Sequence, residues 1–237
     1  MANYIVLDTE TANLINYRDG QAHPETALVY DIGYLIANSS GETLNERSFI
    51  VSEVFAMRDR MDSAYYAEKL PQYREGGGLI DSSIWQIDSF LNIFQQFKQD
   101  CKDFNVKNIY AYNIKFDKTA LNHTLRHLSN GYQKYFFPYV VKIKDIWDMA
   151  QVITCTKKYL LFCGKNDYVT AKGNPQTSAE VVYRYLSGKT EFKERHTALE
   201  DCYIENFILK KVKSRKKKTP KTIGQGWRVP AKKYKEL

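Results

Sequence analysis

Nowhere in this 237-residue chain do 18 apolar residues run together, which excludes a membrane-spanning helix of ordinary length. The opening residues MANYIVLDTE carry neither the cationic stretch nor the longer apolar stretch of a secretory leader. The expected location is therefore the cytoplasm, with no membrane partner. Cysteine is sparse: four residues, at positions 101, 155, 163 and 202, none in a Cys-x-x-Cys pair. That spacing suits reduced, mostly buried thiols better than a disulfide framework or a structural zinc site. No internal repeat is present, which sets aside solenoids and propellers.

What is there is the composition of a packed protein. Hydrophobic residues make up 43%, aromatics 14% and charged residues 26%, enough apolar surface to offset the conformational entropy lost on folding. The length fits one well-buried α/β domain with appendages. The formal net charge of +8 is unevenly placed. From position 210 onward twelve Lys or Arg stand against one Glu, leaving 23 basic and 26 acidic residues in the preceding 209. The expected division is a slightly acidic body, residues 1–209, and a basic tail, residues 210–237. That tail is poor in aliphatics and broken by Pro220, Gly224, Gly226 and Pro230, so it reads as a flexible cationic arm. Such an arm attracts a polyanion through counterion release without reading its sequence.

Residues 4–7 form a short apolar run ending in Asp8, residues 27–37 are rich in strand formers, and residues 47–51 extend a third strand beyond the turn at Ser40 and Gly41. Together they predict an antiparallel meander. Residues 62–74 turn helical in composition, and Gly76, Gly77 and Gly78 then form a flexible joint. Ile84, Ile87, Phe90, Leu91, Phe94 and Phe97 recur at helical spacing, predicting one apolar stripe to lie across a sheet. A fourth strand is expected over residues 108–112, a helix over 116–128 and a fifth strand over 139–143. Asp145 and Ser178 stand at N-cap positions, and residues 197–212 form the last helix before the tail. Three strands followed by alternating strand and helix predict a mixed sheet flanked by helices.

Three groups of residues carry chemistry. Asp8 and Glu10, two apart on a strand, point to one face and can share a cation, although an Asp-x-Glu alone is more often a solvated strand end. Asn113 and Asp117 lie where the fourth strand gives way to a helix, which puts Asp117 in the first helical turn; by itself it could simply stabilise the helix N-terminus. In His196-Thr-Ala-Leu-Glu-Asp201 the histidine would lie about 140° from the acid on an ideal helix, so His196 is expected at the helix entrance or in the loop before it.

Type, spacing and order of these elements resemble the DnaQ-like exonuclease superfamily, in its DEDDh branch, whose motifs are Asp-x-Glu, an Asn-x-x-x-Asp segment and His-x-x-x-x-Asp. The resemblance spans roughly residues 3–206 and implies a ribonuclease H-like α/β fold with a five-stranded mixed sheet flanked by helices. It further implies that Asp8, Glu10, Asp117 and Asp201 bind two Mg²⁺ or Mn²⁺ ions and that His196 is the general base. Within that set Asp8 would lie between both ions, Glu10 and Asp201 on the one that binds water, and Asp117 on the second through water. Thr197 stands where the sister branch has tyrosine. Thr11 matches a threonine that contacts the terminal nucleotide through its backbone, and Asn113 joins it as a substrate-binding residue. Tyr112 departs from the histidine frequent before that asparagine, a difference bearing on packing.

The chemistry explains the residue types. A phosphodiester repels hydroxide, and paired divalent ions offset that repulsion while clamping the attacking and leaving oxygens. Carboxylates are the matching hard ligands, and an imidazole titrating near neutrality suits a general base. The expected activity is 3′-to-5′ exonucleolytic release of nucleoside monophosphates, with single-stranded or frayed DNA 3′ ends favoured. An RNA or short-oligonucleotide exonuclease stays open, because the residues that sense a 2′-hydroxyl are not placed. So does a non-hydrolytic module that binds nucleic acid or a partner, although the intact set of five argues against it. With nothing after residue 212 able to hold a polymerase, the chain is expected to act alone or as a proofreading subunit recruited to a polymerase or other replication partner. His123 and His127, four apart on one helix, read as surface histidines. Lys157, Lys158, Lys165 and Lys172, interleaved with Tyr159, Phe162 and Tyr168, could hold a single strand by stacking and charge or be ordinary packing. Asp31, inside a strand, has no motif partner.

Overall fold

A computed structural model describes residues 2–12, 26–62, 67–74, 85–215 and 225–236. The joint at Gly76, Gly77 and Gly78, Ile84 and residues 216–224 of the basic tail lie outside them. Six strands form one sheet: β1 (Asn3–Ala12), β2 (Leu28–Ala37), β3 (Thr43–Val51), β4 (Trp85–Asp88), β5 (Val106–Ala111) and β6 (Lys142–Asp145), in the order β4-β3-β2-β1-β5-β6. β1, β2 and β3 form the expected antiparallel meander, while β5 joins β1 and β4 joins β3 in parallel. The helices are α1 (Ser52–Phe55), α2 (Arg58–Met61), α3 (Pro71–Arg74), α4 (Phe90–Asp103), α5 (Ile114–Leu128), α6 (Ile146–Met149), α7 (Gln151–Thr154), α8 (Lys157–Lys165), α9 (Ala179–Ser187), α10 (Ala198–Ser214) and α11 (Arg228–Tyr234). The sheet is mixed and flanked by helices, consistent with a ribonuclease H-like fold.

It has six strands where five are expected, and the added one is β4. Its four residues fall inside the stretch whose apolar spacing predicts a helix beginning near Ile84. Ser89 divides the two elements: its side chain accepts from the Asn92 amide and caps α4, so the helix starts only at Phe90. Ile87, assigned by periodicity to the buried stripe, is 54% exposed on the strand. A four-residue strand is too short for alternation to compete with a helical pattern running beyond it. The last strand also shifts, from the expected residues 139–143 to β6, and leaves Tyr139 and Val140 exposed.

The chain divides into two compact units: Met1–Tyr110 with Lys115–Ile143 and Arg195–Cys202, and Ala111–Ile114 with Lys144–Glu194 and Tyr203–Leu237. In the first, all ten residues of β2 are buried, as a central strand covered on both faces requires. Phe90, Phe94 and Phe97 of α4 pack round Phe136 with ring centroids 5.8, 5.6 and 4.9 Å away. Each such burial contributes about 1.5–3 kcal/mol. Asp100, on the same helix, is buried and accepts from the Tyr34 hydroxyl at 2.8 Å and from Arg47 Nε at 3.2 Å. A polar residue is thus held inside the core by full pairing.

In the second unit Tyr159 and Phe162 of α8 pack on Tyr185, at 5.1 and 5.3 Å, and Phe162 meets Tyr168 at 5.5 Å. Tyr159 is fully buried and Arg184 covers Tyr168 at 5.1 Å. These aromatics, which the sequence offers as a stacking platform for bases, are engaged in internal packing. The stretch read as a basic tail begins within α10, and residues 225–236 carry a further helix, α11. Gly226 lies against the Trp147 indole, where an added Cβ would stand 2.5 Å from Cδ1. Pro230 and Ala231 of α11 are buried. Among the described residues no helix is long and apolar enough to cross a membrane.

Candidate functional site

β1 pairs with β2 from Tyr4 to Ala12 but with β5 only from Asn3 to Val6, so Asp8 and Glu10 lie beyond the end of the β5 pairing. Asp8 is half-buried and faces Gly33 across β2, while Glu10 is 6% exposed and faces Asp31. Immediately after Glu10 the register with β2 shifts, so that Thr11 faces Val29. A bulge at this point redirects the strand end beyond the acidic pair. Thr11 itself is buried.

Asp117 lies in the first turn of α5, as expected, and is 3% exposed. The hydroxyl of Thr9, the residue between the two β1 acids, donates to Asp117 Oδ1 at 2.8 Å. That bond ties the helix acid to the strand bearing the pair. Asn113, at the β5–α5 turn and part of the second unit, adopts φ 64°, a conformation asparagine tolerates better than most residues. Its amide donates to Asp145 Oδ1 at 3.1 Å, and the same oxygen accepts from the Trp147 amide at 2.8 Å as the cap of α6. Asp145 is therefore the cap its position predicts, and burial pushes its carboxyl up to about 6.

His196 stands just before α10, at φ 57°. The segment around it is held locally: Arg195 Nη1 and Thr197 Oγ1 donate to the two oxygens of Glu200, each at 3.0 Å. Further on, Asp201 lies in the first turn of α10 and is 9% exposed. One ligand atom from each of Glu10, His196 and Asp201 lies within 4.8 Å of the others, a spacing that could hold a metal ion. Residues almost the whole chain apart in sequence are thus brought into one group. Asp8, two residues along the strand, and Asp117, anchored through Thr9, are not members of that set. His123 and His127 lie side by side on α5, with ring centroids 6.2 Å apart.

Two residues that the motifs do not indicate shape this site. Gly33 of β2 touches the start of α10 so closely that an added Cβ would stand 2.1 Å from Leu199 N and 2.3 Å from Ala198 C. Its carbonyl accepts from Cys202 Sγ at 3.2 Å. Asp31, wholly buried two residues earlier, accepts at Oδ2 from the Ala198 amide at 3.1 Å and from the Tyr73 hydroxyl at 2.9 Å. Burial pushes the Asp31 carboxyl up to about 7, against these two bonds, and the charge of Glu200 adds to the rise. The signal in the sequence is an acid and a glycine inside an otherwise apolar strand, LVYDIGYLIA, where glycine marks a close backbone approach.

No protein-family model matches this chain, and no curated protein matches it in sequence. Solved structures do match in fold. E. coli exonuclease I in complex with a dT13 oligonucleotide is 14% identical, with a TM-score of 0.57, over 91% of this chain and 42% of that one. The zinc-bound form of the E. coli exonuclease I complex with single-stranded DNA is 13% identical, with a TM-score of 0.54, over 91% and 41%. A moderately thermophilic exonuclease I from Methylocaldum szegediense is 14% identical, also with a TM-score of 0.54, over 91% and 41%. The chain spans about two fifths of the length of these proteins. What it has in common with them is the fold, and onto that fold it brings its own close group of two carboxylates and an imidazole.

Proposed function

We propose that this chain is a metal-dependent 3′-to-5′ exonuclease that releases nucleoside monophosphates, with single-stranded or frayed DNA 3′ ends favoured over RNA. The observation that carries the reading is the meeting of Glu10, His196 and Asp201 within 4.8 Å. Within that group Glu10 and Asp201 are two largely buried carboxylates that repel one another unless a cation joins them, so the pair suits a hard divalent ion with the His196 imidazole beside it. The fold is shared with exonuclease I, solved with dT13 and, in a zinc-bound form, with single-stranded DNA.

Asp8, Glu10, Asp117 and Asp201 are the residues that would hold two Mg²⁺ or Mn²⁺ ions. Such ions supply the positive charge that screens the phosphate and makes water acidic enough to attack at neutral pH. His196 accepts the proton that the attacking water gives up, at a ring nitrogen, a role worth about 10²- to 10⁴-fold in rate. Asp117 keeps its place through Thr9, and Thr11 and Asn113 are assigned to the terminal nucleotide. The bond from phosphorus to the 3′-oxygen of the penultimate nucleotide breaks, and the last nucleotide leaves as its monophosphate. The basic residues from position 210 onward add sequence-independent attraction to the phosphate backbone, and a polymerase or other replication protein is the protein partner this reading admits.

His196→Ala is expected to retain Mn²⁺ and oligonucleotide binding while losing most turnover, and Asp8→Ala to abolish hydrolysis. Near-normal turnover in either purified variant rejects the site.

A further inference from the structure

We propose that Asp31 is a positioning residue that clamps the entrance of α10 and thereby holds His196 in working orientation; the inference rests on the reading of His196 as the general base. Three observations carry it. First, Ala198 is the opening residue of α10, and its amide is among those that no carbonyl of the helix can satisfy. A capping side chain just before a helix reaches the second or third amide rather than this first one. Asp31 Oδ2 takes it instead, at 3.1 Å, across 167 positions of sequence.

Second, His196 adopts φ 57°, a left-handed conformation costing a residue with a side chain about 1–3 kcal/mol. It persists only where the surroundings impose it. The imposed contact lies two residues on, at Ala198, and on the other side the His196 carbonyl is 3.5 Å from the Tyr73 hydroxyl. That hydroxyl has one proton, and its shorter bond, 2.9 Å, is to Asp31. Asp31 and Tyr73 together thus bracket the turn that carries the imidazole. Third, Asp31 faces Glu10 across the β1–β2 pair, so the clamp is built on the strand next to the one that supplies the acid of the cluster. Burying a carboxyl completely is costly, and its bonds are the ones that fix the His196 segment.

The clamp needs an acceptor oxygen rather than a charge, which separates Asp31→Asn from Asp31→Ala. In the 237-residue chain acting on a labelled single-stranded oligonucleotide with Mg²⁺, Asp31→Ala is expected to lower kcat roughly 10- to 100-fold at unchanged KM, the penalty of misplacing a catalytic group by about 1 Å. Asp31→Asn should recover most of that loss. In a His196→Ala background Asp31→Ala should cost nothing further, because the group it positions is gone. In the protein without metal, amide exchange at Ala198 should quicken at least roughly tenfold in Asp31→Ala and stay slow in Asp31→Asn, reporting the lost hydrogen bond directly. If Asp31→Ala does not fold, Tyr73→Phe takes its place, with a several-fold fall in kcat that vanishes in the His196→Ala background.

A wild-type kcat in both Asp31→Ala and Tyr73→Phe overturns the inference, as do losses that multiply with that of His196→Ala or an Asp31→Asn variant as impaired as Asp31→Ala. These outcomes leave the general base intact, since His196→Ala alone would still lose most turnover. A His196→Ala protein as active as wild type removes the base and the clamp together.

Discussion

Replacing Gly33 by alanine places a methyl group against the backbone of α10. The new Cβ would lie 2.1 Å from Leu199 N, 2.3 Å from Ala198 C and 2.5 Å from Leu199 Cα, where ordinary contact begins at 3.4 Å. All three atoms are backbone, so no side chain can rotate out of the way, and the start of the helix must retreat by about 1.3 Å along the tightest contact. His196 precedes that turn and Asp201 lies in it, so the retreat draws both from Glu10, with which they share a 4.8 Å cluster. Overpacking of this kind costs about 1–3 kcal/mol, and a displacement near 1 Å at a reacting centre costs about 100-fold in rate. The assay pairs thermal unfolding with turnover on a labelled oligonucleotide and with Mn²⁺ affinity from calorimetry. The expected result is a melting temperature lower by several degrees, weaker Mn²⁺ binding, and a turnover loss far larger than the unfolded fraction explains. A Gly33→Ala protein with wild-type melting and turnover would refute the close approach of β2 and α10.

Other consequences follow from named contacts. Tyr34→Phe removes the 2.8 Å bond to buried Asp100 but leaves the bond from Arg47, so denaturant unfolding should show a loss of about 1.5 kcal/mol; no loss would mean that the bond is absent. Thr9→Val frees Asp117 from its 2.8 Å anchor and should lower turnover roughly tenfold with a stability loss of about 1 kcal/mol, an expectation that unchanged turnover contradicts. Asp145 has a carboxyl raised from 3.8 to about 6 in the fold, so between those values the folded chain holds a proton that the unfolded chain releases. Stability from this group is therefore present below about pH 4 and lost as pH rises through about 6, on the order of 3 kcal/mol. Asp145→Asn keeps the acceptor for the Asn113 and Trp147 amides and should remove that part of the pH slope, and equal slopes in both proteins would show that the carboxyl is not raised.

The features legible in the sequence are those carried by long, regular patterns. Apolar runs marked β1, β2 and β3, Ser178 announced α9, and the turn after β5 placed Asp117 in the first turn of α5. His196 belonged outside a helix because of its angle to Asp201, and the chain puts it there. What stayed hidden depends on contacts between distant segments. Asp31 and Gly33 sit in an apolar strand whose pattern says only that it is buried, and their partners, Ala198 and Leu199, lie more than 160 positions away. β4 was concealed by an overlapping helical spacing, and α11 by the basic composition of a segment whose buried residues are only Pro230 and Ala231. Tyr159 and Phe162 look alike in sequence whether they stack on a base or on Tyr185, and only the packing distinguishes the two.

The most direct measurement of the central claim is the fate of a 5′-labelled oligonucleotide incubated with the purified chain. Single-stranded DNA, duplex DNA and RNA are compared with Mg²⁺, Mn²⁺ or EDTA. The account predicts ladders that shorten one nucleotide at a time from the 3′ end, only with metal and fastest on single-stranded DNA. An oligonucleotide that is retained by the protein but never shortened, with either metal, would contradict it.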